Sequence, residues 1–220
     1  MNIFRYDSKL MQMLEILAYW MILSPIWILL QLPVFTAGPA SAGLYYTTVK
    51  SMRMKRENVL KSFFKGLKMN FKQGALMSLL FVGYLFVLGM SFYYTRYFPS
   101  GWLKALYPYI LLALAIPLVL VLPYVYPVMS RFDAPLGEVI KYALFLSIRH
   151  FLTTISLWVL IIACVIGCMY MPPAVFLLPG IGFFTASYSI EAVLKKHIPE
   201  DKRESERDHW SFDPDPDHAR

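Results

Sequence analysis

Charge is what this sequence has least of. Only 16% of its 220 residues are Asp, Glu, Lys or Arg, against about 25% in an ordinary soluble domain. From Gln73 to Ser130 there is no carboxylate, and the only cations are Arg96 and Lys104. A water-soluble enzyme is excluded by that deficit, and so is a nucleic-acid-binding domain built on the net charge of +7. Two cysteines are too few for a disulfide-stapled secreted module. There is also no Gly-rich phosphate loop, no Cys/His metal set and no chain of nucleophile, base and oxyanion donor, so neither catalysis nor a cofactor is expected. What the sequence has instead is 58% apolar residues and a mean hydropathy of +0.51. Its charges gather near the C-terminus, where Lys195 to Arg220 holds six basic and eight acidic residues. The expectation is an all-α membrane body, residues 16–194, behind an N-terminal interfacial segment, 1–15, and followed by a polar, disordered tail, 195–220.

A spanning helix needs about 20 apolar residues to cross a hydrocarbon core about 30 Å thick. Five stretches qualify, at about 16–35, 75–94, 105–129, 151–170 and 173–190, the last interrupted by Pro179, Gly180 and Gly182. Orientation follows from Lys and Arg in short loops. Lys50, Arg53, Lys55, Arg56, Lys61, Lys65, Lys68 and Lys72 fall between the first two spans with a single Glu57, which places that segment inside. The N-terminus is then outside and the C-terminus inside, although Arg5 and Lys9 oppose this. The tyrosines and Trp102 around residues 93–109 form an outer aromatic belt. No cleavable signal peptide is expected, because the first apolar run is as long as a full span.

Between residues 57 and 72, Val59, Leu60, Phe63, Phe64, Leu67 and Phe71 recur at helical spacing, with Lys61, Lys65, Lys68 and Lys72 opposite. That pattern is a basic amphipathic helix lying on an anionic inner leaflet, or gripped by a cytoplasmic partner. Residues 136–150 stand in the same place before their own span. A shift of eighty pairs Val59 with Val139, Leu60 with Ile140, Lys61 with Lys141 and Phe71 with Phe151, which suggests an internal repeat of the kind transporters use. Pro33, Thr36, Gly38, Pro39 and Gly43 mark a structural turn or a gate after the first span. Pro108, Pro117, Pro123 and Pro127 read as kinks in the third.

Charges beside spans are costly and therefore informative. Glu15, Arg149, His150 and Glu191 are of this kind, and a pairing of Glu191 with Arg149 on the inner side is one expectation. Cys164 and Cys168 share a helical face and read as packing. Trp210 and Phe212 form a small apolar spot in the tail, and His209 and His218 stand among aspartates.

The run "DSKLMQMLEILAYWMILSPIWILLQLPVFTAGPASAGLYYTTVKSMR" followed by "SFFKGLKMNFKQG" resembles the YesL family of small integral membrane proteins of Gram-positive bacteria. The most specific pieces are Leu32 to Thr36 with Gly38, Leu44 with Tyr45, and Asn70 to Gln73, within the first 80 residues. Where this chain has Pro39, Ala40 and Ser41, family members are often richer in hydroxyls. The resemblance implies about five spans in the cell membrane and a link to carbohydrate uptake through ABC importers. It brings no catalytic residues. The resulting expectation is a non-enzymatic accessory or permease-like component whose partners are the lipid bilayer and importer subunits. Two alternatives stay open: a stand-alone small-molecule transporter, homo-oligomeric because five spans make a thin bundle, and a membrane regulatory or assembly factor.

Overall fold

The computed structural model describes residues 9–53, 58–97, 101–132 and 134–196. Among these there are eight α-helices and no strand. They are α1 (Lys9–Gln31), α2 (Val34–Thr47), α3 (Val59–Met69), α4 (Phe71–Tyr94), α5 (Trp102–Arg131), α6 (Leu136–Arg149), α7 (Phe151–Tyr170) and α8 (Leu178–Lys195). The expectations for residues 1–8, for Glu57 and for the tail beyond 196 lie outside the described residues.

Four helices are long and apolar enough to cross a membrane, over Leu14–Gln31, Phe71–Tyr97, Lys104–Arg131 and Phe151–Tyr170. Their outer faces are apolar: Leu79, Phe86, Val87, Leu112, Ile116, Val159 and Ile162 are all exposed. In water that surface would be an aggregation site, whereas in hydrocarbon it matches its solvent. The fifth expected span is displaced. Pro172 and Pro173 hold Pro172–Phe176 in a tight 3-10 turn, so α8 starts only at Leu178. It carries Glu191 and Lys195 near its end and falls outside the four long apolar helices.

The first span also differs from expectation. It ends at Gln31, and the turn is confined to Leu32 and Pro33, where the Thr36 hydroxyl donates to the Leu30 and Pro33 carbonyls. Gly38, Pro39 and Gly43 are not in a turn at all; they lie inside α2, which runs on through a π-helical turn to Arg53. Proline and glycine disfavour an isolated helix, but this one is surrounded, and every residue from Gly38 to Met52 is buried. Its small residues allow other helices to touch its backbone. A Cβ on Gly38 would overlap the Gly74 carbonyl of α4, and one on Gly43 would lie 2.9 Å from the Leu67 amide nitrogen of α3. From the other side, a Cβ on Gly66 would come within 2.9 Å of the Tyr46 Cβ. The hydroxyl of Ser41 ties α2 to α1, accepting from Trp27 Nε1 at 3.3 Å and Gln31 Nε2 at 3.2 Å.

The shift of eighty reappears in three dimensions. α3 and α4 are separated by the single residue Asn70, and α6 and α7 by the single residue His150. Val59, Phe63, Gly66, Gly74 and Met77 are buried, and so are Val139, Ala143, Leu146, Thr154 and Leu157 at the shifted positions. Each broken pair of helices packs on the helix that precedes it, α3 and α4 on α2, α6 and α7 on α5. Those preceding helices end alike, the first at Arg53 and the second at Arg131. The fold is thus two three-helix units, α2 to α4 and α5 to α7, with α1 packed on the first and α8 touching both.

Candidate functional site

Ionisable side chains inside a helical membrane bundle carry a desolvation cost and are retained for structure or function. The most deeply buried charged side chain among the described residues is Glu191 on α8, 1% exposed. The pairing with Arg149 expected from sequence does not form, and the guanidinium of Arg149 sits instead over the Phe145 ring. Glu191 is held by Arg131, from the last residue of α5, whose Nη1 donates to Oε2. The Tyr45 hydroxyl, from α2, donates to Oε1 at 2.7 Å. Burial, and then the Glu191 carboxylate beside it, hold the Tyr45 phenol well above its ordinary range, so it stays a donor. One turn earlier on α8, Arg53 Nη1 donates to the Ser187 carbonyl at 2.9 Å and approaches its hydroxyl at 3.3 Å. The same guanidinium stacks over the Tyr188 ring, 3.9 Å from its centroid. The arginines that end the first helical stretch of each unit therefore both reach α8, at positions four residues apart. From the sequence Arg53 reads as one of many loop charges and Arg131 is not singled out; the similar "SMR" and "MSR" at the ends of the two helical stretches are the signal that could have drawn attention to both.

The second candidate is α3. Successive helical residues advance by about 100°, which divides its surface into three sectors. Val59, Ser62, Phe63 and Gly66 point inward and are buried. Leu60, Phe64 and, on the first turn of α4, Phe71 form an adjoining exposed apolar stripe. Lys61, Lys65, Lys68 and Lys72 follow, all exposed. The apolar face expected to lie wholly on lipid is therefore shared, and its larger part is spent on α2. Phe63 and Phe64, alike in the sequence, separate completely at 0% and 54% exposed. Truncating Phe63 to alanine is expected to cost about 3–5 kcal/mol, while Phe64→Ala leaves thermal stability in detergent unchanged. A thermal melt of both variants checks this.

The other singled-out residues have local roles. Glu15 accepts from the Tyr19 hydroxyl at 3.1 Å, and the Cys164 thiol lies 3.6 Å from the Leu178 carbonyl oxygen. Pro33 stands at the break before α2.

Comparison with known proteins finds no match among curated proteins and none among solved structures. A family model described as "Protein of unknown function, DUF624" matches residues 19–92. The matched stretch runs from α1 through nearly all of α4 and thus covers the first three-helix unit, including the basic α3, and it identifies that part of the chain as similar to an uncharacterised domain family.

Proposed function

We propose that this protein is a non-enzymatic component of the bacterial cell membrane that works beside an ABC-type carbohydrate importer, with α3 as its contact surface. The observation that carries this reading is the three-sector surface of α3. One side anchors it to α2, the apolar stripe of Leu60, Phe64 and Phe71 suits the edge of the bilayer, and four exposed lysines complete its surface, with the Lys65 ammonium 6.0 Å from the centre of the Tyr46 ring of α2. A helix fixed on a glycine-lined bed is already ordered, so a partner that grips it loses little additional entropy. The resemblance of the first 80 residues to the YesL family supplies the link to carbohydrate uptake, and the Lys/Arg bias supports a cytoplasmic α3 with the N-terminus outside.

Replacing Lys61, Lys65 and Lys68 together by glutamate is expected to abolish recovery of importer subunits in mild-detergent purification from cells grown on polysaccharide. Carbonate extraction should show membrane insertion unchanged. Unchanged recovery of the same subunits would sink this reading.

The repeated units and the buried Arg131–Glu191 pair favour a second reading, a stand-alone transporter. Substrate flux into liposomes containing this protein alone discriminates it.

A further inference from the structure

The basic surface of α3 has no acid of its own. Residues 58–72 hold Lys61, Lys65, Lys68 and Lys72 and no Asp or Glu, and all four lysines are exposed. Like charges one turn apart on a helix repel each other, so an acidic neighbour would relieve the row. Beside it runs the exposed apolar stripe of Leu60, Phe64 and Phe71. A segment that fits both sectors carries acids and large apolar groups close together.

The same chain carries such a segment. Residues 208–218 contain four aspartates and no lysine or arginine, with Trp210 and Phe212 between Asp208 and the group Asp213, Asp215 and Asp217. It is tethered at the right end of the bundle. Arg53 donates to the Ser187 carbonyl of α8, and two residues before it the Ser51 hydroxyl donates to that of Ser62 on α3 at 2.7 Å. From Ser187 the end of α8 at Lys195 is about 12 Å further on. Fourteen residues separate Lys196 from Trp210, a flexible length of about 20 Å and an extended one of up to about 45 Å. The equivalent surface of the second unit lies within the same kind of reach but matches poorly: Phe145 and Ile148 stand where Lys65 and Lys68 do, and an exposed Glu138 precedes Lys141.

We propose that residues 208–218 dock on α3, with the aspartates along Lys61, Lys65, Lys68 and Lys72 and with Trp210 and Phe212 on Leu60 and Phe64. In an extended segment alternate residues stand about 6–7 Å apart, close to the rise of about 4.5–6 Å between successive lysines on the helix. A tethered segment acts at an effective concentration on the order of mM, so a contact too weak to hold a free peptide still fills this surface. The strap is autoinhibitory, since any partner that grips α3 has first to displace it. The contact lies within one chain and stands whether or not that partner belongs to an importer.

Spin-label distances in the purified full chain, alone in nanodiscs of zwitterionic lipid, test it. Cys164 and Cys168 are replaced by alanine, one label is placed at Ser211→Cys, and the other at Met69→Cys on α3 or, in a separate protein, at Ile148→Cys on α6. The 69/211 pair should show a narrow short-distance component and the 148/211 pair only a broad distribution. Raising salt from about 0.1 M to about 1 M shortens the screening length from about 10 Å to about 3 Å and should reduce the narrow component several-fold. K61E/K65E/K68E should lose it, and adding D213K/D215K/D217K to that variant should restore it, a rescue that general damage to α3 would not give. A broad 69/211 distribution in the parent leaves the lysines to lipid headgroups or another protein and overturns the proposal. So does an equal narrow component for both pairs, its survival in K61E/K65E/K68E, or failure of the exchanged charges to restore it.

Discussion

Glu191→Ala is expected to destabilise the protein by about 3–5 kcal/mol, the usual consequence of stranding one partner of a buried ion pair. The loss has two parts. Arg131 is itself buried and would keep its charge with its counter-ion gone. The Tyr45 hydroxyl would lose its acceptor at the same time, and a buried donor without an acceptor costs a further ~1–3 kcal/mol. Tyr45→Phe strands no donor and leaves the carboxylate on Arg131; it loses only one hydrogen bond to a charged group, about 1.5–3 kcal/mol, so its effect should be the smaller. Thermal unfolding in detergent, followed by the accessibility of Cys164 and Cys168 to a fluorescent maleimide, ranks the two variants. Equal melting temperatures for Glu191→Ala and the parent would mean that the pair does not hold α8.

The second large effect concerns a single methyl group. Gly38→Ala puts a Cβ into the Gly74 carbonyl, and because the obstacle is backbone the two helices must separate. Overpacking of this kind costs about 1–3 kcal/mol, and backbone against backbone belongs at the upper end. Gly83, on the outer part of α4, is the control, since a Cβ there meets nothing within 4 Å. Gly83→Ala should be neutral or gain up to about 1 kcal/mol from helix propensity. The opposite signs of the same substitution on neighbouring helices are the signature of glycine used for close approach, and melting temperatures of the two variants measure them directly.

These two sites also show what could be read from the chain and what could not. The long apolar helices follow from composition, because hydrocarbon tolerates few charges and the span length is set by its thickness. The repeat was legible in part: a shift of eighty pairs Val59 with Val139 and Phe71 with Phe151, but the amphipathic pattern carried the first interfacial helix on to Lys72, past the break at Asn70. The Gly38 region misled because local propensity and tertiary packing pull in opposite directions there. Proline and glycine argue for a turn, and only the glycine-to-glycine approach of α2 and α4 explains why a helix wins. Phe63 and Phe64 could not be separated, since an amphipathic face does not say where protein ends and lipid begins. The partner of Glu191 was missed for a related reason. Helical periodicity orders residues on one helix but carries no distance between helices, so Arg149, nearer the same expected membrane face, was as good a candidate as Arg131.

The basic helix bears the functional account, and its equivalent in the second unit provides an internal control. Lys65 and Lys68 of α3 correspond to Phe145 and Ile148 of α6, and all four are exposed. The units have thus kept one architecture and, at these two positions, presented different chemistry, cationic in the first and apolar in the second, while Lys61 and Lys141 keep an exposed cation in both. The most direct measurement is in vivo photocrosslinking with benzoylphenylalanine placed at Lys65 and, separately, at Phe145, followed by mass spectrometry of the adducts. The account predicts a discrete protein adduct at position 65, containing a subunit of a carbohydrate importer, and none of that subunit at position 145. Recovery of no importer subunit at position 65, or of the same subunit equally at both positions, would contradict it.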